Sequence, residues 1–372
     1  MGAYMRSYTR EQIYRIALQC VHSLSWRQEQ ALLEAYGSAE RILTCMDQGV
    51  VEIVGEKAVR EMRAIKKQTA RHLLDQLEAS GADVIFRGEA EYPALLSQIA
   101  DPPHALFVRG CCAADEKSVA IVGSRRDTRY GRSQAFAIAK ELAQAGITVV
   151  SGLARGIDTA AHEGALAGGG RTVGVLGCGI DTVYPEENRD LAKRIVDSGG
   201  AVITEFPFGS EPLAYHFPIR NRIISGISAA LLLIEGHARS GTMITAGLAA
   251  EQGRDVFALP GAVDAPGSAA PLRLLRDGAG ICTCAQDILV DMGWAKEERV
   301  QQESFLLEER LRDLPELQRR IALLMLDEPK RFEELAEETG IPTDALTGEL
   351  TLMELDGLVE LCAGRVYALK TT

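Results

Sequence analysis

The chain has 372 residues, with 40 Lys and Arg against 52 Asp and Glu, and a formal net charge of −12. It is longer than one compact core usually requires, so two or three domains are expected. The acidity excludes little: residues 295–372 carry 10 basic and 18 acidic side chains, net −8 of the −12, and a local basic patch elsewhere can still meet a polyanion.

The start M-G-A-Y-M-R carries neither a signal-peptide pattern nor the Ser or Thr of a myristoylation site. Residues 1–82 show helical apolar spacing over Glu11–Leu18, Gln28–Tyr36, Ala39–Asp47 and Lys57–Ala79, broken at Gly37 and Gly49–Gly55. This predicts an all-α module, either a SAM-like packing or dimerising unit or a helix-hairpin-helix.

The period changes at Asp83. Strands are predicted at Asp83–Phe86, Ala105–Val108, Val119–Val122, Thr148–Ser151, Thr172–Leu176, Ala201–Thr204, Ala229–Ile234 and Asp255–Leu259. Helices are predicted at Tyr130–Ala145, Gly156–Ala167, Glu186–Ser198, Pro218–Gly226 and Thr242–Gln252. Such alternation predicts an α/β domain over 83–294, a Rossmann-like doubly wound and mostly parallel sheet, which binds ligands at the carboxyl ends of its strands. The run Ala229–Ile234 is far shorter than the ~20 apolar residues of a membrane span, so no span is expected. Eight cysteines include no C-x-x-C pair, which points to reduced thiols, no metal site and a cytoplasmic location.

Residues 295–314 read as a charged linker. Residues 315–372 predict a winged helix: helices Pro315–Leu326, Arg331–Thr339 and Thr343–Leu355, then strands Leu358–Leu361 and Arg365–Leu369 about Gly364. The third helix carries Asp344, Glu349 and Glu354 and no Lys or Arg. It is therefore hostile to phosphates and suits a protein contact or a regulatory role.

The loops of the central domain are rich in glycine and arginine: Gly123–Arg132, Ser151–Asp158, Leu176–Pro185 and Gly236–Thr242. Pro218 suits the first position of a helix, which places Phe217 just before it and Arg220, Asn221 and Arg222 on its first turn. Two arginines at the positive end of a helix need an acid, such as Glu205 or Glu235, or a visiting anion. Phe217 beside them favours a phosphate-and-base site, with Arg125, Arg126, Arg155, Arg220, Arg222 and Arg239 along one rim.

No G-x-G-x-x-G follows Val119–Val122 and no Walker lysine is present, so no nucleotide cofactor is expected. Among acid–base candidates, Asp158 is expected to cap its helix and His162 to pair with it at i,i+4. Asp181 and Glu205 are the other acids considered. His216 and His237 lack a carboxylate at motif spacing. No catalytic residue is expected.

The motifs V-A-I-V-G-S-R-R (119–126), S-G-L-A-R-G-I-D-T-A-A-H (151–162), V-G-V-L-G-C-G-I-D-T-V-Y-P-E-E-N (173–188), F-P-I-R-N-R-I-I-S-G-I-S (217–228), S-G-T-M-I-T-A-G-L-A-A-E-Q-G-R-D-V-F-A-L-P-G (240–261) and D-G-A (277–279) stand in one order. Together they resemble the DNA-processing protein A family (DprA, or Smf). The resemblance implies a homodimer that binds single-stranded DNA, protects it during natural transformation, and loads RecA recombinase onto strands coated with single-strand binding protein. It also implies a DNA-binding set of Gly123, Ser124, Arg125, Arg155, Phe217, Arg220, Asn221, Arg222, Arg239, Ser240 and Gly241, with no catalysis.

Two features stand apart. Ser268–Leu275 reads S-A-A-P-L-R-L-L where the family usually has a Gly and an Asn before a Leu-Ile pair, which leaves that loop's conformation open. The rival resemblance is to nucleoside-monophosphate phosphoribohydrolases, but Thr245 stands where their acid would be.

Overall fold

The computed structural model describes residues 7–21, 23–64, 67–112, 117–238, 240–295, 314–325, 329–362 and 365–369. The chain divides into two compact units between Ile288 and Leu289. The predicted linker falls almost wholly outside the described residues, as do Gly364 and Leu326.

The first unit begins with α1 (Arg10–Gln19), α2 (Trp26–Tyr36), α3 (Ala39–Cys45), α4 (Gln48–Ala64) and α5 (Lys67–Ser80). Reciprocal capping boxes, Thr9 with Gln12 and Ser25 with Gln28, start α1 and α2 by satisfying backbone N–H groups that a helix start leaves free. Of the break expected over Gly49–Gly55, residues 49–54 are instead helical, while Gly55 does interrupt the helix. One Asp47 carboxylate oxygen accepts the N–H groups of Gly49 at 3.1 Å and Val50 at 3.3 Å, which starts α4 early. Gly55, at φ 80° and ψ 164°, is non-helical and separates the first two turns of this range from the rest.

Leu18, Leu32, Ile42, Val50 and Met62 make a core among these helices. Ile16 of α1 and Leu77 of α5 instead pack with residues of the sheet, Val84, Phe86 and Phe107. The helices and the sheet therefore share apolar surface.

Glu29 of α2 is 6% exposed, with its carboxylate 3.7 Å from His104 Nε2. Burial, opposed by Arg15, pushes its pKa from 4.5 up to about 8. The unfolded chain ionises this group above about 4.5 while the folded chain holds it neutral to about 8, so its cost to stability grows across that window. Glu29→Gln is expected to raise the urea midpoint at pH 8 by more than it does at pH 4.5. An equal gain at both values would refute the neutral carboxyl.

Next come β1 (Asp83–Phe86), α6 (Ala94–Ser97), β2 (Ala105–Gly110), β3 (Ser118–Val122), α7 (Arg129–Gln144), β4 (Thr148–Ser151), α8 (Ile157–Ala167) and β5 (Thr172–Val175). They are followed by α9 (Arg189–Asp197), β6 (Ala201–Thr204), α10 (His216–Gly226), β7 (Ala230–Leu233), α11 (Gly241–Glu251), β8 (Asp255–Ala258), α12 (Ala269–Arg276), β9 (Gly280–Ile281) and α13 (Ala285–Asp291). The nine strands form one sheet in the order β1-β2-β6-β5-β4-β3-β7-β8-β9. From β6 to β9 all pairings are parallel, while β1 and β2 form an antiparallel flank. Ser118–Val122 and Ala230–Leu233 are buried at every residue, as strands covered on both faces require. Strand β9 was not anticipated, since two residues are too few to show a period.

The order matters for function. From β3 the chain steps to β4 on one side, and it later returns to place β7 on the other. Such a reversal opens a crevice at the carboxyl ends of the strands.

In the second unit, α14 (Glu316–Leu323), β10 (Lys330–Arg331), α15 (Phe332–Thr339), α16 (Thr343–Leu355), β11 (Val359–Cys362) and β12 (Val366–Leu369) form the winged helix. Its three strands lie in the order β10-β12-β11. Ile321, Leu335, Leu346, Leu350, Met353 and Val359 fill its core. Among the described residues, no helix is long and apolar enough to cross a membrane.

Candidate nucleic-acid interface

A cavity of about 530 Å³ opens at the reversal of strand order, lined by residues of the loops after β3, β4 and β7 and by α10. Gly123, Ser124, Arg125, Phe217, Arg220, Asn221, Ser240 and Gly241 all line it, so eight of the eleven residues singled out in the sequence meet in one place. Arg155 stands beside it, exposed, paired with Glu187 at 2.5 Å. Arg239 lies outside the described residues.

Arg222 faces elsewhere. It pairs with Glu205, donates from Nη1 to the Asp101 carbonyl at 2.6 Å, and borders a separate cavity of about 550 Å³ with Gln19, Glu29 and His104. The reason is helical geometry: residues two apart point to opposite sides of a helix. Of the two acids anticipated as partners, Glu205 does hold an arginine. Glu235 does not. Its carboxylate accepts from the N–H of Thr128 at 2.9 Å and from the Thr128 hydroxyl. Thr128 in turn caps α7 by accepting from Gly131 N–H at 3.0 Å.

Helix α10 starts at His216, two residues before the position expected from Pro218. Proline is tolerated anywhere in a first turn, where N–H groups have no intrahelical partner, so it does not mark the first residue uniquely. Phe217 is therefore inside the helix, and Arg220–Arg222 occupy its second turn.

Phe217 is the centre of the site. Arg125 Cζ stands 4.8 Å from its ring centroid and Arg220 Cζ 5.9 Å. The Tyr184 ring is 5.9 Å away at 45°. Tyr184, 43% exposed, was quoted in a motif without a role; its aromatic type in a strand-end loop was the available signal. Arg125 is exposed and has no ion pair among the described residues.

Arg220 is the opposite case, at 3% exposure. Its Nη1 donates to the Gly152 carbonyl at 2.7 Å and to the Val175 carbonyl. Burial lowers its pKa to about 10, against the favourable field of Asp158.

Asp158 does not cap α8, whose N-cap is Gly156 with no side-chain bond. Its carboxylate turns back to accept the N–H groups of Gly152 at 3.1 Å and Ala154 at 3.3 Å. Burial raises its pKa, and Arg220 opposes that shift. His162 does not pair with Asp158 either. Its Nδ1 meets the Thr172 hydroxyl at 2.7 Å, and that hydroxyl donates to the Val149 carbonyl. Nδ1 therefore carries the proton. Burial drives the His162 pKa down to about 3.

The loops brace one another. Ser124 O accepts from Ile157 N–H at 3.2 Å, and Gly236 exchanges backbone bonds with the Pro266–Ala270 turn, at 2.8 Å to Gly267 O and 2.9 Å from Ala270 N. The divergent segment Ser268–Leu275 thus ends a 3₁₀ turn at Ser268 and is otherwise α12 itself, tied at its start to the rim of the cavity.

Comparison with known proteins gives the family. A family model described as DNA recombination-mediator protein A matches residues 83–293, and one described as the DprA winged helix domain matches 307–365. The chain is 38% identical to Protein Smf of Escherichia coli K12 over 287 residues, 75% of each chain. The structure of DprA from Streptococcus pneumoniae superposes with a TM-score of 0.64 at 32% identity, covering 77% of this chain and 98% of that one. A Helicobacter pylori DprA structure, described for its single-stranded DNA binding mode, gives 0.50 at 28% identity over 57% of this chain and 95% of its own. These are α/β proteins of DNA recombination. The chain belongs to the DNA recombination-mediator protein A (DprA/Smf) family.

Proposed function

We propose that the chain binds single-stranded DNA in the cavity at the strand reversal, with a base against Phe217 and phosphates on Arg125. The observation that carries this reading is the aromatic ring set between two guanidinium groups, one of them exposed and without an ion pair. Every base has a π-face, so a stacking platform beside a cation is sequence-tolerant. The single-stranded DNA binding of the Helicobacter pylori relative supports the same reading.

In the cell, the protein mediates recombination in the cytoplasm. It protects incoming single strands in natural transformation and, as a homodimer, loads RecA recombinase where single-strand binding protein coats the DNA. Arg155, Arg239, Ser240 and Gly241 extend the contact along the rim, and Arg222 supports α10 from its far side. Residues 1–82, 83–294, 295–314 and 315–372 act as helical module, DNA-binding core, linker and winged helix. The winged helix engages protein, given the acids on α16.

Binding is preferred over hydrolysis. Thr245 lines the cavity where a hydrolase acid would stand, and the Asp158 carboxylate is held by two backbone N–H groups in the field of Arg220.

Fluorescence anisotropy with a labelled oligonucleotide and its duplex, across a salt series, tests this. Wild type is expected to prefer the single strand. Arg125→Gln is expected to weaken binding about tenfold and to reduce the slope of log K against log salt by about 0.7, the value of one phosphate contact. Wild type failing to bind at low salt, or an Arg125→Gln slope equal to wild type, would sink the reading.

A further inference from the structure

We infer that Arg220 is a positioning residue, holding Phe217 and the carboxyl ends of β4 and β5 in place, and that it does not itself contact phosphate. This rests on the single-strand reading of the same site.

Three observations carry it. First, the side chain is nearly inaccessible, at 3% exposure, although it lies at the floor of the cavity. Second, its Nη1 is committed inward, to the carbonyls of Gly152 and Val175, which close β4 and β5. Nε is buried with no hydrogen-bond partner among the described residues. Third, the buried carboxylate of Asp158 sits against the same Gly152 as the guanidinium and opposes its charge from inside the protein.

The salt dependence of binding counts the protein cations that replace condensed counterions on the strand. A guanidinium that is buried and opposed by an internal carboxylate adds little to that count. Arg125, exposed and without an ion pair, does add to it. The two arginines flanking Phe217 therefore have different duties, although they look alike in the sequence.

The position of the ring depends on Arg220. Its guanidinium lies 5.9 Å from the Phe217 centroid, one helical turn away at i+3, so tying that guanidinium to two strands also fixes the height of the ring above them.

The test uses the full chain and the labelled single strand, with wild type, Arg220→Gln, Arg220→Lys, Phe217→Ala and the double variant Phe217→Ala/Arg220→Lys, each over a salt series. Circular dichroism establishes folding. Arg220→Lys keeps the charge, but its ammonium ends one bond short of the Nη1 position that bonds both carbonyls, and it has no planar face for the Phe217 ring. It is expected to bind at least fivefold more weakly than wild type with an unchanged salt slope, and to add nothing in the Phe217→Ala background. Arg220→Gln, where folded, is expected to do the same. The inference is overturned if Arg220→Lys binds like wild type, if Arg220→Gln lowers the slope by about 0.7, or if the two substitutions are additive. Wild type failing to bind at low salt would remove the single-strand reading itself, an outcome read before any variant is compared.

Discussion

Gly156→Ala is expected to destabilise the protein by at least about 3 kcal/mol and to weaken single-strand binding more than tenfold. Gly156 has φ 82° and ψ −124°, a conformation that residues with a Cβ rarely adopt. An added Cβ would also lie 2.3 Å from the Ser124 carbonyl oxygen and 3.0 Å from the Arg125 carbonyl. Both are backbone, so neither rotates aside. The loop after β4 then pushes the loop after β3, which carries Arg125 away from Phe217. Gly169 is the natural control. It has φ 73° with nothing within 4 Å of an added Cβ, so Gly169→Ala is expected to cost only the backbone term, about 1–2 kcal/mol, and to leave binding unchanged. Chemical denaturation and anisotropy read both effects. Equal losses for the two variants would show that the packing of the two loops contributes nothing.

The second large effect is expected from Asp158→Ala. The substitution strands the N–H groups of Gly152 and Ala154 and leaves the Arg220 charge buried without its balancing acid. Removing one member of a buried charged pair typically costs about 3–5 kcal/mol, whereas replacing both by apolar groups costs less. Asp158→Asn retains an acceptor for the two N–H groups and is expected to lose less than Ala. Asp158→Ala/Arg220→Met is expected to recover part of the loss, because the stranded charge is gone. Additive losses in that double variant would mean that the two groups stabilise independently. The same reasoning warns against Arg220→Glu as a mapping mutation. It would bury a second carboxylate beside Asp158, and any loss of binding would report misfolding as readily as a missing contact.

Local patterns along the chain specify the alternation of strands and helices from Asp83 onward, the winged helix, and most of the residues that line the candidate site. Strand periodicity and unbroken apolar runs depend on local burial, which a linear pattern records. The site loops were legible because glycines and arginines at strand ends have few structural reasons to cluster. What the sequence did not determine is which way each of those side chains points. Arg220 and Arg222 read as a matched pair, but the helix turns them to opposite faces, one under the cavity and one onto Glu205. Asp158 and Glu235 read as a cap and an arginine partner. Tertiary contacts sent the first back to the loop after β4 and the second to Thr128. The order of the strands was likewise out of reach, since pairing partners far apart in sequence leave no local trace. That order, with β3 between β4 and β7, is what opens the crevice. Only the folded structure separates the exposed arginine, available to a phosphate, from the buried one that holds the aromatic ring in place, because burial and charge balance are properties of neighbours that the chain supplies from elsewhere.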